Sequence, residues 1–257
     1  MEELRGRVGV VTGAASGIGF GIASALAAAG MRLMLADIDE ERLGTKVAQL
    51  EATGCELAAQ VVDVGDADAV DGLAQRTIER FGAVHVVCNN AGIIRRGSNT
   101  WEMPVEDWHA IIRVNLLGVY HGVRSFVPLM LASGEPGHVV NVASVAAVTS
   151  VPGLSPYTAS KHGVLGLSEA LRMELQQVGA PIGVTIVLPG LVRTRIGQPT
   201  DAPDPEGPLA PGQMDPREVG DLVVDAVRED RLHLFTHPEL LDGVRARFAR
   251  ITDVGVA

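Results

Sequence analysis

Residues 8–19 read VGVVTGAASGIG and join a short apolar run to a glycine-rich turn. Apolar side chains then recur at helical spacing, which indicates a strand, a glycine turn and a helix in succession. Glycines in such a turn let the backbone approach a pyrophosphate, and the free amides at the helix start attract its negative charge. The stretch therefore predicts a βαβ unit with a dinucleotide site at its first turn.

A second apolar run, residues 33–36, ends in Asp37, eighteen residues beyond Gly19. A carboxylate at that point can accept hydrogen bonds from an adenosine ribose diol and would repel a 2′-phosphate. The alternative is a carboxylate that caps a loop or a helix, with Asp39 as its rival for the cap. The strand before Asp37 and the spacing favour the ribose interpretation.

The alternation of strand and helix continues along the rest of the chain. Five more apolar runs of strand length lie between segments of helical periodicity. The sequence thus predicts a single doubly wound α/β domain over residues 1–257. Its predicted strands are residues 8–11, 33–36, 56–62, 84–88, 138–143, 182–188 and 232–236.

The composition indicates a globular protein that binds neither a membrane nor a nucleic acid. With 257 residues, 47% of them apolar and 20% charged, the chain is typical of a globular domain. Its charged start lacks a signal-like run, and no apolar run is long enough to span a bilayer, so we expect a cytoplasmic protein without a membrane partner. Two cysteines provide neither a disulfide framework nor a metal site. A net charge of −10 argues against a nucleic-acid partner.

Residues 155–161 read SPYTASK and place a phenol and an ammonium four residues apart at a predicted helix start. Ser155 is expected to cap this helix and Pro156 to occupy its first position. Tyr157 and Lys161 then share one helix face, where the cation favours the phenolate and the pair can act as an acid or a base. The alternative is a packed ring beside a solvated charge, which is the commoner meaning of an isolated motif of this kind.

Three further polar positions are candidates for a site. Asn115 lies within a helical pattern over residues 105–131, and its amide is either a satisfied core group or a group that positions water. Ser144 follows the fifth strand at the edge where open α/β sheets bind ligands, although a loop hydroxyl is the alternative. Residues 89–92 read NNAG, which indicates a close approach to a ligand or an ordinary turn.

The last quarter of the chain contains two unusual segments. Residues 196–216 hold six prolines, a composition that disordered linkers share, but they follow the carboxyl end of a strand. We therefore expect residues 190–216 to form an active-site lid, with Asp215 capping the next helix. Residues 237–252 predict a C-terminal helix with arginines on one side, which should pack on the domain or on a neighbouring subunit rather than on a membrane.

Several short motifs occur in a fixed order along the chain: TGxxxGIG at 12–19, Asp63-Val64, NNAG at 89–92, Asn115, Ser144, Tyr157-x-x-x-Lys161, and Pro189-Gly190 with Thr194. Each motif is weak alone, but the ordered set closely resembles that of the short-chain dehydrogenase/reductase family over nearly the whole chain. The resemblance implies a seven-stranded parallel Rossmann-like sheet, a nicotinamide dinucleotide, and hydride transfer between C4 of the nicotinamide and a carbonyl or secondary alcohol.

The resemblance also implies a catalytic tetrad and a set of cofactor contacts. Tyr157 looks like the general base of alcohol oxidation and the acid of carbonyl reduction, and Lys161 would activate it and bind the nicotinamide ribose. Ser144 would hold the substrate oxygen, while Asn115, partly through its backbone carbonyl, would help to hold a water of the proton relay. Besides Tyr157 and Lys161, the resemblance implies cofactor contacts along the whole dinucleotide. Gly13, Ser16, Ile18 and Gly19 would bind the pyrophosphate, Asp37 the adenosine ribose, and Asp63 and Val64 the adenine. Asn89, Gly92 and Pro189 would lie along the cofactor, and Thr194 would bind the carboxamide.

Finer expectations concern the cofactor, the substrate and the assembly. Asp37, together with the lack of a basic residue just before Gly17, resembles NAD-preferring members, so NAD is expected over NADP. The apolar residues after Ser144 and in the lid favour a hydrophobic or cyclic secondary alcohol or ketone, such as a terpenoid, steroid or polyketide-like compound. The family implies a homotetramer, with a dimer second, although His237-Pro238 departs from the Asp-Gly-Gly-like tail common in the family.

Two other functions are compatible with the fold. One is a catalytically silent NAD-binding regulatory protein, which loss of tetrad members would favour, and all four members are present. The other is an epimerase or dehydratase, whose relatives are usually longer and carry an added substrate domain.

Overall fold

Seven short segments form one parallel sheet in the computed structural model, which describes residues 1–95, 97, 99–199 and 202–253. The strand order is β3-β2-β1-β4-β5-β6-β7, and every neighbouring pair is parallel. The order reverses between β1 and β4, so the sheet is doubly wound and the predicted fold class is confirmed. The strands are β1 Val8–Thr12, β2 Arg32–Asp37, β3 Leu57–Val61, β4 Val86–Asn89, β5 Gly137–Val142, β6 Ile182–Leu188 and β7 His233–Phe235.

Helices cover both faces of this sheet, because successive side chains of each strand point to opposite faces and both are apolar. Among the described residues, one apolar cluster includes Ile22 and Val223, a second includes Phe126 and Leu171, and a third includes Val164 and Ile186. None of the described helices combines the length and the apolarity needed to cross a bilayer. The helices are α1 Gly17–Ala28, α2 Glu40–Glu51, α3 Ala67–Phe81, α4 Val105–Ile112, α5 Gly118–Ser133, α6 Ser155–Gln177, α7 Pro216–Arg228 and α8 Leu241–Thr252.

Two predicted helices differ from the observed ones. The helix predicted over residues 105–131 is interrupted by a π-helical turn, Arg113–Leu117, between α4 and α5. The C-terminal helix begins with a 3₁₀ turn, Pro238–Leu240, before α8. Both differences arise because apolar periodicity locates a helix but not a change in its hydrogen-bond pattern.

Of three predicted helix N-caps, the structure confirms Asp39 and Asp215 but not Ser155. Asp39 and Asp215 each accept a backbone N–H at the start of their helices, from Arg42 and Arg217 respectively, so both caps are confirmed. Ser155 is wrong as an N-cap, because α6 already includes it and Leu154 occupies the cap without a side-chain hydrogen bond.

Helix α1 packs tightly against α7 through two glycines. A Cβ at Gly21 would overlap the carbonyl oxygen of Pro216, and one at Gly220 would overlap that of Gly21. Only residues without a side chain permit so close an approach. The helix that follows the predicted lid therefore supports the helix that follows the glycine turn.

The connection between β6 and α7, residues 189–215, is closed at its base. Met214 N donates to Leu191 O at 2.9 Å, and Arg193 N donates to Met214 O at 3.0 Å. The Arg193 guanidinium also pairs with the Asp215 carboxylate. The two ends of the connection are thus held together by backbone hydrogen bonds and an ion pair.

The far part of the same connection reaches α2. Arg42 donates to Ala202 O at 2.8 Å, and Lys46 Nζ donates to Asp204 Oδ2 at 3.0 Å. Beneath it lies a cavity of about 460 Å³ whose lining includes Gly17 and Thr194 and whose walls come from α1, α2, α7 and this connection. Residues 200 and 201 of the predicted lid lie outside the described residues.

Candidate active site

The glycine turn between β1 and α1 forms a cradle that side chains would fill. Gly13 has a φ of 66°, and a Cβ there would lie 2.7 Å from Asn90 Nδ2. At Gly19 a Cβ would overlap the carbonyl oxygen of Gly13. Ser16 occupies the N-cap of α1 without making a side-chain cap, so the backbone amides around Ile18 are not satisfied by that route. This turn fits the pyrophosphate of a dinucleotide, which binds to such amides.

Asp37 lies at the end of β2 beside this turn. Its Oδ2 accepts from Ala15 N at 2.9 Å and its Oδ1 from Asp39 N at 3.1 Å. Burial raises the pKa of its carboxyl, against the opposing effect of these backbone hydrogen bonds. The backbone N–H of Ile38 also bonds to this carboxylate, which has about four acceptor positions, so at least one remains for a ribose diol. The side chain therefore caps the loop and retains acceptor capacity for a ribose hydroxyl.

Asp63 and Val64 follow β3. Asp63 accepts from Gly65 N and from Arg113 Nη1, both at 2.9 Å. Val64 is buried, and its carbonyl oxygen accepts from His121 Nδ1 at 2.9 Å. Arg113 belongs to the π-helical turn, so this turn is connected to the predicted adenine contacts.

The NNAG segment is more than an ordinary turn. Asn90 Nδ2 donates to Thr12 O at 2.9 Å and to Gly13 O at 3.2 Å, which ties the segment to the glycine turn. A Cβ at Gly92 would lie 3.4 Å from Asn115 Oδ1 and 3.7 Å from Lys161 Nζ. Its backbone therefore runs beside two members of the predicted tetrad.

The side chain of Asn89 points away from this site and into the core. Its Nδ2 donates to Asn141 Oδ1 at 2.9 Å, and its amide packs where Gly122 of α5 has no Cβ. A contact between Asn89 and a cofactor would therefore have to be made by its backbone.

Lys161 and Tyr157 come together at the start of α6. The Lys161 side chain is 3% exposed, and its Nζ donates to Val142 O at 2.8 Å. The same Nζ lies 5.7 Å from the centroid of the Tyr157 ring. Burial lowers the pKa of the Lys161 ammonium to about 8. Lys161 is thus a buried cation beside the phenol, and the alternative of a solvated surface charge is excluded.

Ser144 lies two residues beyond the carbonyl that holds Lys161. Its Oγ accepts from Ala146 N at 3.1 Å at the start of a 3₁₀ turn, Val145–Ala147. The backbone N–H of Val145 donates to Pro189 O at 2.9 Å, which joins the end of β5 to the end of β6. Ser144, Lys161 and Tyr157 are therefore brought to one edge of the sheet.

Asn115 is fully buried in the π-helical turn. Its Oδ1 accepts from Ile93 N at 2.8 Å, and its Nδ2 donates to Ile93 O at 2.9 Å and to Ser160 Oγ at 3.3 Å. The side-chain amide of Asn115 is therefore a fully hydrogen-bonded core group, which was one of the two interpretations open from the sequence. The π-helical turn around it leaves the regular hydrogen-bond ladder, a feature found often at functional sites.

Thr194, a predicted cofactor contact, lies next to the start of α1, which follows the glycine turn. A Cβ at Gly17 would lie 2.9 Å from Thr194 Cγ2, so this side chain faces the start of α1.

Two residues that the sequence analysis did not assign to the site also contact it. His237 Nδ1 accepts from Gly190 N at 3.2 Å, directly behind the Pro-Gly turn. Ser160 lies between Tyr157 and Lys161 in the sequence and bonds to Asn115. The position of His237 after the seventh strand, at the ligand-binding edge of the sheet, was the signal that could have indicated it.

Comparison with known proteins identifies the family of this chain. The sequence profile of the family described as short chain dehydrogenase matches residues 7–204. The chain therefore belongs to the short-chain dehydrogenase/reductase family. It is a nicotinamide-dependent oxidoreductase, and the glycine cradle fits the dinucleotide that this class requires.

Individual relatives cover almost the whole chain. A short-chain dehydrogenase/reductase from Burkholderia phymatum in complex with NAD has a TM-score of 0.90 and 37% identity, covering 98% of this chain and 96% of the other. The 1-deoxy-11-beta-hydroxypentalenate dehydrogenase of Streptomyces avermitilis is 37% identical over 244 residues, 92% of this chain and 87% of the relative. An alcohol dehydrogenase from the archaeon Thermococcus sibiricus, complexed with 5-hydroxy-NADP, has a TM-score of 0.79 and 28% identity, covering 89% of this chain and 95% of the other.

Proposed function

We propose that this chain transfers a hydride between NAD(H) and a secondary alcohol or ketone that is hydrophobic or cyclic. The observation that carries the proposal is the convergence of β5 and α6. The buried Lys161 ammonium donates to the Val142 carbonyl and lies 5.7 Å from the centroid of the Tyr157 ring, and Ser144 lies two residues beyond the end of β5. A buried cation placed against a phenol is an arrangement suited to proton transfer near neutral pH.

Each tetrad residue has a role in this proposal. Tyr157 exchanges a proton with the substrate oxygen, as the base in oxidation and as the acid in reduction. Lys161 favours the phenolate. Ser144 Oγ accepts from Ala146 N, so its own proton is the group it can donate to the substrate oxygen. Asn115 and its π-helical turn would hold the water that connects the phenol with solvent.

The residues proposed to hold NAD follow the cradle described above. When bound, the nicotinamide would give or accept the hydride. The amides of the glycine turn would bind the pyrophosphate and the remaining acceptor capacity of Asp37 the adenosine ribose. The other proposed contacts are Ser16, Asp63, Val64, the backbone of Asn89, Gly92, Tyr157, Lys161, Pro189 and Thr194.

Asp37 should determine the choice between NAD and NADP. Its carboxylate would repel a 2′-phosphate, so we expect a higher kcat/KM with NAD than with NADP. Asp37→Asn keeps an acceptor for the Ala15 N–H and removes the negative charge. It should reduce the ratio of kcat/KM with NAD to kcat/KM with NADP by about tenfold or more. That change corresponds to a loss of at least ~1.4 kcal/mol of discrimination between the cofactors. Initial rates with both cofactors at matched low concentration test this. A wild-type preference for NADP, or an unchanged ratio in the variant, would contradict it.

Residues 190–216 are proposed to act as the substrate lid. Leu191, Ile196 and Leu209 expose apolar side chains on this segment, and Val151 does so in the loop before α6. Exposed apolar side chains beside a site suit an apolar ligand. The name of the Streptomyces relative gives a hydroxylated pentalenate as its substrate, which supports a terpenoid-like compound over a small polar alcohol.

The proposed activity is tested with a panel of cyclic and linear secondary alcohols and NAD, followed through the absorbance of the reduced cofactor. We expect turnover with cyclic, apolar alcohols and much less with short linear ones. Tight NAD binding without turnover of any alcohol would instead support the catalytically silent regulatory protein.

We further propose a cytoplasmic homotetramer, with a dimer second. Both cysteines, Cys55 and Cys88, are free thiols, which suits a reducing compartment. Tyr120 of α5 and Met173 of α6 are large, exposed apolar side chains available for subunit contacts, and light scattering on purified protein tests the assembly.

A further inference from the structure

Ser160 connects the two helical segments that carry the tetrad. It is fully buried, and its Oγ donates to the carbonyl oxygen of Tyr157 at 2.7 Å. The same Oγ accepts from Asn115 Nδ2 at 3.3 Å. A hydroxyl has a single proton, so its donation to the Tyr157 carbonyl leaves the oxygen to act as the acceptor for the amide. Both hydrogen bonds can therefore exist together.

The orientation of the Asn115 amide depends on the same network. Because Oδ1 accepts from Ile93 N, Nδ2 must face both Ile93 O and Ser160 Oγ. Rotating the amide by half a turn would place its oxygen against the Ile93 carbonyl oxygen. Of the three hydrogen bonds that hold Asn115, the one to Ser160 is the bond that reaches α6.

The first turn of α6 begins without a side-chain cap. Helix starts leave several backbone N–H groups without intrahelical partners, so they fray unless they are capped. Within the part of the chain that the structure describes, Leu154 supplies no side-chain cap, and the buried hydroxyls of Ser155 and Thr158 have no hydrogen-bond partner. The bond from Asn115 to Ser160 thus anchors the turn that presents Tyr157.

We propose that Ser160 is a positioning residue that fixes Tyr157 relative to Asn115 and so aligns the phenol with the proton relay. The proposal rests on the hydride-transfer function proposed above. A misplacement of about 1 Å between reacting groups costs on the order of 10²-fold in rate. Loss of the Ser160 hydroxyl should therefore slow turnover without removing any group that touches the substrate or the cofactor.

Ser168 provides a matched control on the same helix. It is also fully buried, its Oγ donates to Val164 O at 2.6 Å, and it accepts from Asn141 Nδ2 at 2.9 Å. Ser160→Ala and Ser168→Ala therefore delete the same two kinds of hydrogen bond from α6. Only the first deletion involves a member of the tetrad.

The test compares the two variants by kcat, by the Kd for NAD and by hydrogen–deuterium exchange of residues 155–159 in the cofactor-free protein. Ser160→Ala should lower kcat by about 10- to 100-fold with the Kd within about twofold of wild type. It should also speed exchange in residues 155–159. Ser168→Ala should lower the Tm by a similar amount while kcat stays within about twofold and exchange in that turn stays unchanged.

Equal kcat values in the two variants, or unchanged exchange of residues 155–159 in Ser160→Ala, would overturn the proposal. The exchange measurement needs neither substrate nor cofactor. Wild-type protein that binds NAD but oxidises no alcohol would contradict the proposed function, whereas an active wild type with no difference between the two serine variants would contradict only the role of Ser160.

Discussion

Replacing Tyr157 by phenylalanine is expected to lower kcat by about 10²- to 10⁴-fold, the range over which positioned acids and bases act. The ring stays at the start of α6, 5.7 Å from Lys161 Nζ, and only the hydroxyl is lost. Tyr157 is one of the proposed cofactor contacts, but its ring and the other contacts remain, so the Kd for NAD should stay within about twofold of wild type. Steady-state rates with the best alcohol of the panel, together with a cofactor titration, measure both quantities.

The chain provides a control for this substitution in its second tyrosine. Tyr120 lies on α5 with 48% of its surface exposed, and Tyr120→Phe should leave kcat unchanged. A Tyr157→Phe enzyme that kept the wild-type rate would remove the phenol from the mechanism.

The second large effect concerns Lys161 and the pH dependence of stability. Burial lowers the pKa of this ammonium from 10.5 to about 8. Between these two values the unfolded chain still binds the proton that the folded protein has released, so the free energy of unfolding rises with pH. Below pH 8 the buried charge is retained and this stabilisation is absent. A difference of 2.5 pKa units corresponds to about 3 kcal/mol.

Lys161→Met removes this titration together with the cation that is proposed to activate Tyr157. The difference in unfolding free energy between variant and wild type should therefore shift by about 3 kcal/mol in favour of wild type between neutral pH and pH 10.5. Turnover should be lost at every pH. Denaturant unfolding of both proteins across this range is the measurement, and a difference that did not change with pH would show that the ammonium is not destabilised by burial.

The glycine turn, the doubly wound alternation of strands and helices, and the proximity of Tyr157 and Lys161 could be predicted because each depends on the pattern of short segments. A glycine with positive φ, a carboxylate after a strand, and two side chains four residues apart on a helix are properties of short segments. Tyr157 and Lys161 do meet at the end of β5, as their spacing and the position of Ser144 predicted.

The remaining features depend on contacts between distant segments. The Asn115 amide is oriented by Ile93, twenty-two residues away in sequence, and by Ser160, forty-five residues away. The inward orientation of Asn89 depends on Asn141 and on a glycine in α5. Ser155 was expected as a cap because it precedes a proline, but the helix begins one residue earlier than that pattern indicates. The spacing of apolar residues along the sequence does not indicate which distant residues will form these hydrogen bonds.

The closed base of the connection between β6 and α7 has a consequence for protein engineering. Leu191, Arg193, Met214 and Asp215 already bring its two ends together, so the chain between them is a loop whose closure does not depend on its own sequence. The free energy of closing a loop changes only slowly with its length, by about 0.6 kcal/mol for each doubling. We therefore expect this base to accept loops of other lengths, taken from other members of the family, while the sheet stays as it is.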